Sequence, residues 1–292
     1  MPYEGMIFRP PSEAESLIIQ TTVGCSWNKC TFCSMYRYKD FRIKEYDEIR
    51  DDIEMAKMMY GDDVRRVFLA DGDALVIDTD NLLKIIDTLN KDFPNLERVS
   101  TYATPHNLLN KGIDELKELK DRGLDLVYLG VETGDDNLLR SIGKGVRRDE
   151  MLEAGLNAKR AGIKLSVTII LGLGGKEGSK THAEETARLL SDMDPDYVGA
   201  LTLMVIPSTP LYNMVKSGRL TLLSPIESIL ECRRIIEDMD VTDCIFRSNH
   251  ASNYLPLGGR LPQDKDKIIK TIDDIVKKNK TYLLRSEDMR AL

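Results

Sequence analysis

Residues 16–22 read SLIIQTT and residues 23–33 read VGCSWNKCTFC, a short β-rich apolar run that opens directly into a loop carrying Cys25, Cys30 and Cys33 within nine positions. Working outward, runs of the same kind recur at Arg66–Ala70 (RVFLA), Arg98–Ala103 (RVSTYA), Leu126–Val131 (LVYLGV), Leu165–Leu171 (LSVTIIL) and Tyr197–Met204 (YVGALTLM). Segments of helical period lie between them at about 46–60, 79–92, 106–121, 148–160 and 180–193. This alternation is the pattern of a parallel sheet covered by helices and joined by right-handed crossovers. The expected fold class is therefore α/β, a partial TIM barrel of about six βα units. In such a sheet the chemistry gathers at the carboxyl ends of the strands. After about residue 205 the alternation stops. A helix at 225–239, a short strand candidate (CIFRS), a turn-rich stretch and a long charged helix from Gln263 to about Leu284 follow. The expected division is a core over residues 1–206 and a C-terminal α/β extension over 207–292 that caps the barrel without a core of its own.

Composition narrows the function. Hydrophobic residues make up 42% and charged residues 30% of the 292, which excludes a disordered chain. With 41 Lys+Arg against 48 Asp+Glu the net charge is −7, so no global cationic field draws the chain to phosphate backbones. No basic start leads into an apolar stretch, and no run approaches the ~20 apolar residues of a membrane span, so a cytoplasmic protein without a membrane partner is expected. Five cysteines are too few for a disulfide scaffold, and three in one loop point to metal or redox chemistry in a reducing compartment.

That loop is C-x4-C-x2-C. Thiolates prefer iron–sulfur clusters, Zn²⁺ or Cu⁺. A closed zinc site needs a fourth ligand at comparable spacing, and the nearest histidine is His106, with Cys232 and Cys244 about 200 residues away. An iron–sulfur cube normally takes four cysteines; three leave one iron open to a ligand. A zinc site completed by a distant residue, and thiols without metal, stay open as alternatives.

With an aromatic residue just before the third cysteine, the loop resembles that of the radical S-adenosylmethionine (SAM) superfamily, lengthened by one residue over the family's usual C-x3-C-x2-C. The resemblance covers roughly residues 16–206. It implies a [4Fe–4S] cluster on Cys25, Cys30 and Cys33, SAM as second cofactor, and a reducing electron donor such as flavodoxin or ferredoxin. Ala70-Asp71-Gly72-Asp73-Ala74 stands where the family has a Gly-Gly-Glu type motif that meets the SAM amino group; the alternative is a turn that caps the next helix. Gly130-Val131-Glu132-Thr133-Gly134, followed by Leu139 to Gly145 (LRSIGKG), resembles the branch that includes the Elongator catalytic subunit, tRNA methylthiotransferases and oxygen-independent coproporphyrinogen oxidase. By that likeness Glu132 meets the SAM ribose and Lys144 its carboxylate; an ion pair to a neighbouring helix and a solvated lysine are the plain alternatives. The glycine turn after the fifth strand is similar to the family's adenine side, which implies Thr168, Ile170, Gly172 and Val205 there unless they only pack the sheet. Phe32 shields the cluster or contacts adenine, or simply packs its loop.

Tyr36–Lys44 places four cations and three aromatics after the last cluster cysteine, suited to an anionic substrate or a stacked base, or else a solvated loop. His250 and Tyr254 are candidate catalytic residues, as substrate contacts or proton and radical relays, against local turn hydrogen bonding. Helix capping is expected near His106 and a structural role for Cys232 and Cys244. The expected activity is reductive cleavage of SAM to a 5′-deoxyadenosyl radical that takes hydrogen from a small or anionic substrate, with RNA second because the extra domains of RNA-modifying relatives are missing. A non-catalytic iron–sulfur or zinc module that recognises RNA or a protein is the alternative.

Overall fold

The structure, a computed structural model, describes residues 3–291, and the chain divides into two compact units. One unit comprises the residues up to Asn28, Met35–Leu129 and Glu153–Leu165; the other comprises Lys29–Ser34, Gly130–Leu152 and the residues from Ser166 onward.

The first unit holds strands β1 (Leu17–Gln20), β2 (Thr22–Val23) and β3 (Arg42–Ile43), helix α1 (Tyr46–Tyr60), β4 (Arg66–Ala70), α2 (Thr79–Asp92), β5 (Arg98–Ala103), α3 (Pro105–Asn110), α4 (Ile113–Arg122) and most of β6 (Leu124–Glu132). Strands β1, β4, β5 and β6 are neighbours in that order and all parallel, with Ile19 opposite Leu69 and Phe68 opposite Ser100. Val67, Phe68, Leu69 and Ala70 are wholly buried, the continuous apolar run of a strand covered on both faces. The single helix expected over 106–121 is two. Lys111 is extended, and the Gly112 N–H that opens α4 is capped by Glu115 at 3.3 Å. The Lys111 ammonium is drawn inward to the Ile77 carbonyl at 2.8 Å.

The second unit holds the end of β6, α5 (Asp136–Ser141), the start of α6 (Arg148–Arg160), most of β7 (Lys164–Leu171), α7 (Gly175–Met193), β8 (Tyr197–Thr202), α8 (Pro210–Lys216), α9 (Pro225–Asp238), β9 (Cys244–Arg247), β10 (Gly258–Leu261) and α10 (Lys265–Lys277). Strands β7, β8 and β9 run parallel, and β10 returns antiparallel along β9. The CIFRS segment is thus a strand paired with β8. Helix α7 starts five residues earlier than its pattern suggested, because glycines in a first turn leave N–H groups that loops can satisfy; Lys176 N–H donates to Thr221 O at 2.9 Å. Helix α10 stops well short of Leu284. Asn279 turns left-handed at φ 48°, and Lys280 N–H closes on Ile275 O at 2.9 Å. Among the described residues no helix is long and apolar enough to cross a membrane.

Candidate functional site

In the first unit the chain leaves β1 and is tied to the end of β4 before it reaches Cys25. Thr21 N–H donates to Ala70 O at 2.5 Å, Gly72 N–H to Gly24 O at 3.1 Å, and Gly24 N–H to Asp71 Oδ2 at 3.1 Å. Asp71 is wholly buried, and the same Oδ2 accepts from Gln20 at 3.3 Å and from the Lys39 ammonium at 2.5 Å. Its other oxygen, Oδ1, is buried with no hydrogen-bond partner among the described residues. Asp73 accepts from Ser26 Oγ and makes no side-chain cap to the turn after it. Gly72 has a reason of its own: a Cβ there would fall 2.2 Å from the Tyr36 ring.

Within Tyr36–Lys44, Lys39 pairs with Asp71, Arg42 with Glu4 and Glu48, and Lys44 with Asp52 at 2.6 Å. The Arg42 hydrogen bonds hold the Glu48 carboxyl down at about 2. Tyr36 is buried, while Tyr38 is 84% exposed. The segment is therefore largely neutralised by its own surroundings. His106 packs against Trp27 with ring centroids 4.7 Å apart and the planes tilted by 42°, and Thr104 caps the helix, Pro105–Asn110, in whose first turn His106 lies.

In the second unit, Lys29–Ser34 is held by Thr31, whose N–H donates to Ile142 O at 2.8 Å and whose carbonyl accepts from Leu211 N–H at 3.1 Å. Phe32 and Val205 pack on a buried apolar cluster of Ile142, Ile170, Leu173, Leu203 and Leu211. Three adenine-side expectations, Phe32, Ile170 and Val205, thus meet in one cluster. Thr168 is half-buried on β7. Gly172 turns left-handed at φ 81°. Glu132 is itself left-handed at φ 67°, and its carboxylate accepts from the Lys144 ammonium at 2.9 Å, each side chain 10% exposed. A Cβ on Gly130 would lie 2.3 Å from Glu132 Oε1 and 2.9 Å from Lys144 Nζ, so only glycine leaves this cradle open.

Cys25, Cys30 and Cys33 are half-buried and in no disulfide. Among the described residues no three His, Cys, Asp or Glu side chains are gathered as a metal site. The donor set, three soft thiols in one loop, fits an iron–sulfur cluster. The partnerless Asp71 Oδ1 fits a ligand that brings a donor. Cys232 and Cys244 are buried, and burial pushes both thiols up to about 12.

His250 and Tyr254 lie in the loop after β9. Ser252 N–H donates to His250 Nδ1 at 3.1 Å, and Ser252 Oγ lies 2.9 Å away, so the ring hydrogen sits on Nε2; burial lowers its pKa. The Tyr254 hydroxyl donates to Glu287 at 2.7 Å and accepts from Arg290 at 2.7 Å, with the guanidinium 4.2 Å over its ring. Burial and the Glu287 bond raise Tyr254 to about 12.

Sequence reasoning missed a buried polar group in the same unit. Glu231 on α9 accepts from Gly172 N–H at 2.5 Å and from Ser179 Oγ at 2.5 Å, and burial pushes its carboxyl up to about 7. His182 on α7 is wholly buried, bonds Thr133 Oγ1 at 2.8 Å through Nδ1, and is pushed down to about 4 by burial. The available signal was a glutamate on the buried stripe of a helix, among Ser228, Cys232, Ile235 and Ile236.

The Radical SAM superfamily profile matches residues 19–190. The chain is similar to heme chaperone HemW of Bacillus subtilis, 26% identical over 175 residues, and to a putative methylthiotransferase of Methanocaldococcus jannaschii, 27% identical over 213 residues. The matches cover 60% and 69% of this chain, which spans 45% of either relative. The solved coproporphyrinogen III oxidase HemN of Escherichia coli, a radical SAM enzyme, superposes with a TM-score of 0.55 over 76% of this chain and 51% of its own, at 14% identity. That likeness shows the fold, an α/β partial barrel. Enzymes of this type act on small or macromolecular substrates and take electrons from reductants. The family match extends from the first strand through the cysteine loop to α7, and on that ground the chain belongs to the radical SAM superfamily, as an enzyme whose cofactors are a [4Fe–4S] cluster and SAM.

Proposed function

We propose that Cys25, Cys30 and Cys33 hold the cluster and that the strand ends receive SAM, so that the protein acts as a hydrogen-abstracting enzyme on a small or anionic substrate. Reductive cleavage of the sulfonium, with hydrogen abstraction by a 5′-deoxyadenosyl radical, is the chemistry these cofactors supply when bound. The chain's own residues position and shield. Glu132, hydrogen-bonded by Lys144, accepts from ribose hydroxyls, and Lys144 meets the SAM carboxylate. Ile170, Val205 and Phe32 offer an apolar face to adenine, Gly172 a backbone free of side chain, and Thr168 a hydroxyl on the same strand. Asp71 Oδ1 accepts from the SAM ammonium, while Oδ2 and the Gly72 N–H hold the start of the cysteine loop through Gly24; Asp73 steadies the loop through Ser26.

For the substrate, His250 offers a neutral Nε2–H donor to an anionic or oxygen-bearing group, and Tyr254 supports that loop through Arg290. A donor of the flavodoxin or ferredoxin class supplies the electron.

The observation that carries this reading is the buried Glu132–Lys144 pair on the open cradle of Gly130. The test is anaerobic reconstitution with iron and sulfide, followed by dithionite and SAM, with 5′-deoxyadenosine measured by mass spectrometry. Wild-type protein is expected to form it and Cys30→Ala to form none; formation by the variant overturns the cysteine assignment.

A further inference from the structure

We propose that Glu231 and His182 are positioning residues for the nucleoside half of SAM, forming with Thr133 one buried polar clamp between the strand ends that carry Glu132 and Gly172. The inference rests on the assignment of Glu132 to ribose and Gly172 to adenine made above. The clamp consists of two hydrogen-bonded halves that meet across one longer polar approach. Thr133 directly follows Glu132, and its hydroxyl bonds His182 Nδ1 at 2.8 Å; Thr186 adds a contact to the same nitrogen at 3.3 Å. His182 Nε2 lies 3.7 Å from Glu231 Oε1, both side chains fully buried. The same Oε1 takes the Gly172 N–H, and Ser179 holds Oε2.

Neither strand end keeps its shape by strand pairing alone. Glu132 is a non-glycine residue with φ 67°, a conformation that persists only where its surroundings over-determine it. The Gly172 N–H is bonded to a carboxylate rather than to a neighbouring strand; without Glu231 it would be a buried donor with no acceptor. A buried carboxylate–imidazole contact is no better for stability than well-packed apolar side chains. What it adds here is a fixed spacing between the two groups that read the ligand, and ligand readers tolerate displacements of only ~0.5 Å.

The test uses anaerobically reconstituted holoenzyme, with equilibrium binding of 5′-deoxyadenosine and of L-methionine measured separately. Glu231→Leu is expected to weaken 5′-deoxyadenosine at least about tenfold and leave methionine within about twofold, the size of leaving one buried donor, the Gly172 N–H, without its acceptor. Glu231→Gln, which keeps a carbonyl for the Gly172 N–H, is expected to restore the nucleoside to within about threefold. In turnover the same loss is expected in the KM for SAM, with kcat little changed. Equal weakening of both ligands, or no weakening, overturns the proposal. Should Glu231→Leu not fold, Ser179→Ala carries the test with a loss of about threefold, and an unchanged nucleoside affinity overturns it. Glu132→Ala separates the underlying assignment: a wild-type-like nucleoside affinity in that variant overturns the ribose reading itself, whatever Glu231→Leu does.

Discussion

Replacing Glu231 by glutamine removes one of two buried groups whose titrations oppose each other across the neutral range. Burial raises the Glu231 carboxyl from its ordinary 4.5 to about 7, so the native state holds a proton that the unfolded chain releases; the stability this adds is full below 4.5 and is lost as the pH rises through 7. Burial lowers His182 from 6.5 to about 4, so the native state refuses a proton that the unfolded chain accepts; stability is full above 6.5 and is lost as the pH falls toward 4. Between about pH 5 and 7 each group shifts stability by about 2 kcal/mol in opposite directions, and in the wild type the two nearly cancel. Glu231→Gln therefore is expected to gain about 2 kcal/mol relative to wild type over that interval, and His182→Gln to lose about as much. Urea midpoints of the protein without added iron, taken at both ends of the range, measure this, and referring each variant to wild type removes the other carboxylates from the comparison. Wild-type and Glu231→Gln stabilities that run parallel with pH would refute the reasoning, since Glu231 would then ionise as a solvated carboxylate does.

Gly72→Ala is expected to destabilise by about 2 kcal/mol in thermal or urea unfolding through overpacking against Tyr36, and adding Tyr36→Leu should recover part of it, a non-additivity that a double-mutant cycle reads directly. Asp71→Leu leaves the part-buried Lys39 ammonium without its counter-ion and is expected to cost about 3 kcal/mol; iron bound per chain after reconstitution should fall with it, because Gly24 loses the oxygen that anchors it. Lys144→Met is expected to raise the KM for SAM by roughly tenfold or more while iron content stays at wild type; a KM unchanged in that variant would remove Lys144 from the SAM site.

Most of the scaffold was legible because strand and helix periods are local properties. RVFLA and RVSTYA mark β4 and β5 residue for residue, as do 46–60 and 79–92 for α1 and α2. The cysteine loop was legible because three soft ligands in nine positions have few other uses. What escaped depends on partners remote in the chain. The break between α3 and α4 turns on Lys111 reaching back to Ile77; β10, with its two glycines, reads as a turn until β9 lies beside it. The cations of Tyr36–Lys44 looked available because Glu4, Asp52 and Asp71, which neutralise them, belong to three other segments. Glu231 and His182 stand 49 positions apart on different helices, and nothing in the spacing of either announces the other.

The Tyr36 ring fills the space that any side chain at position 72 would need. That contact imposes an order on how the two positions can change over descent. A smaller residue at 36 has to come first, and only afterwards does 72 become open to drift, so the pair is free to vary in one sequence of steps and blocked in the reverse.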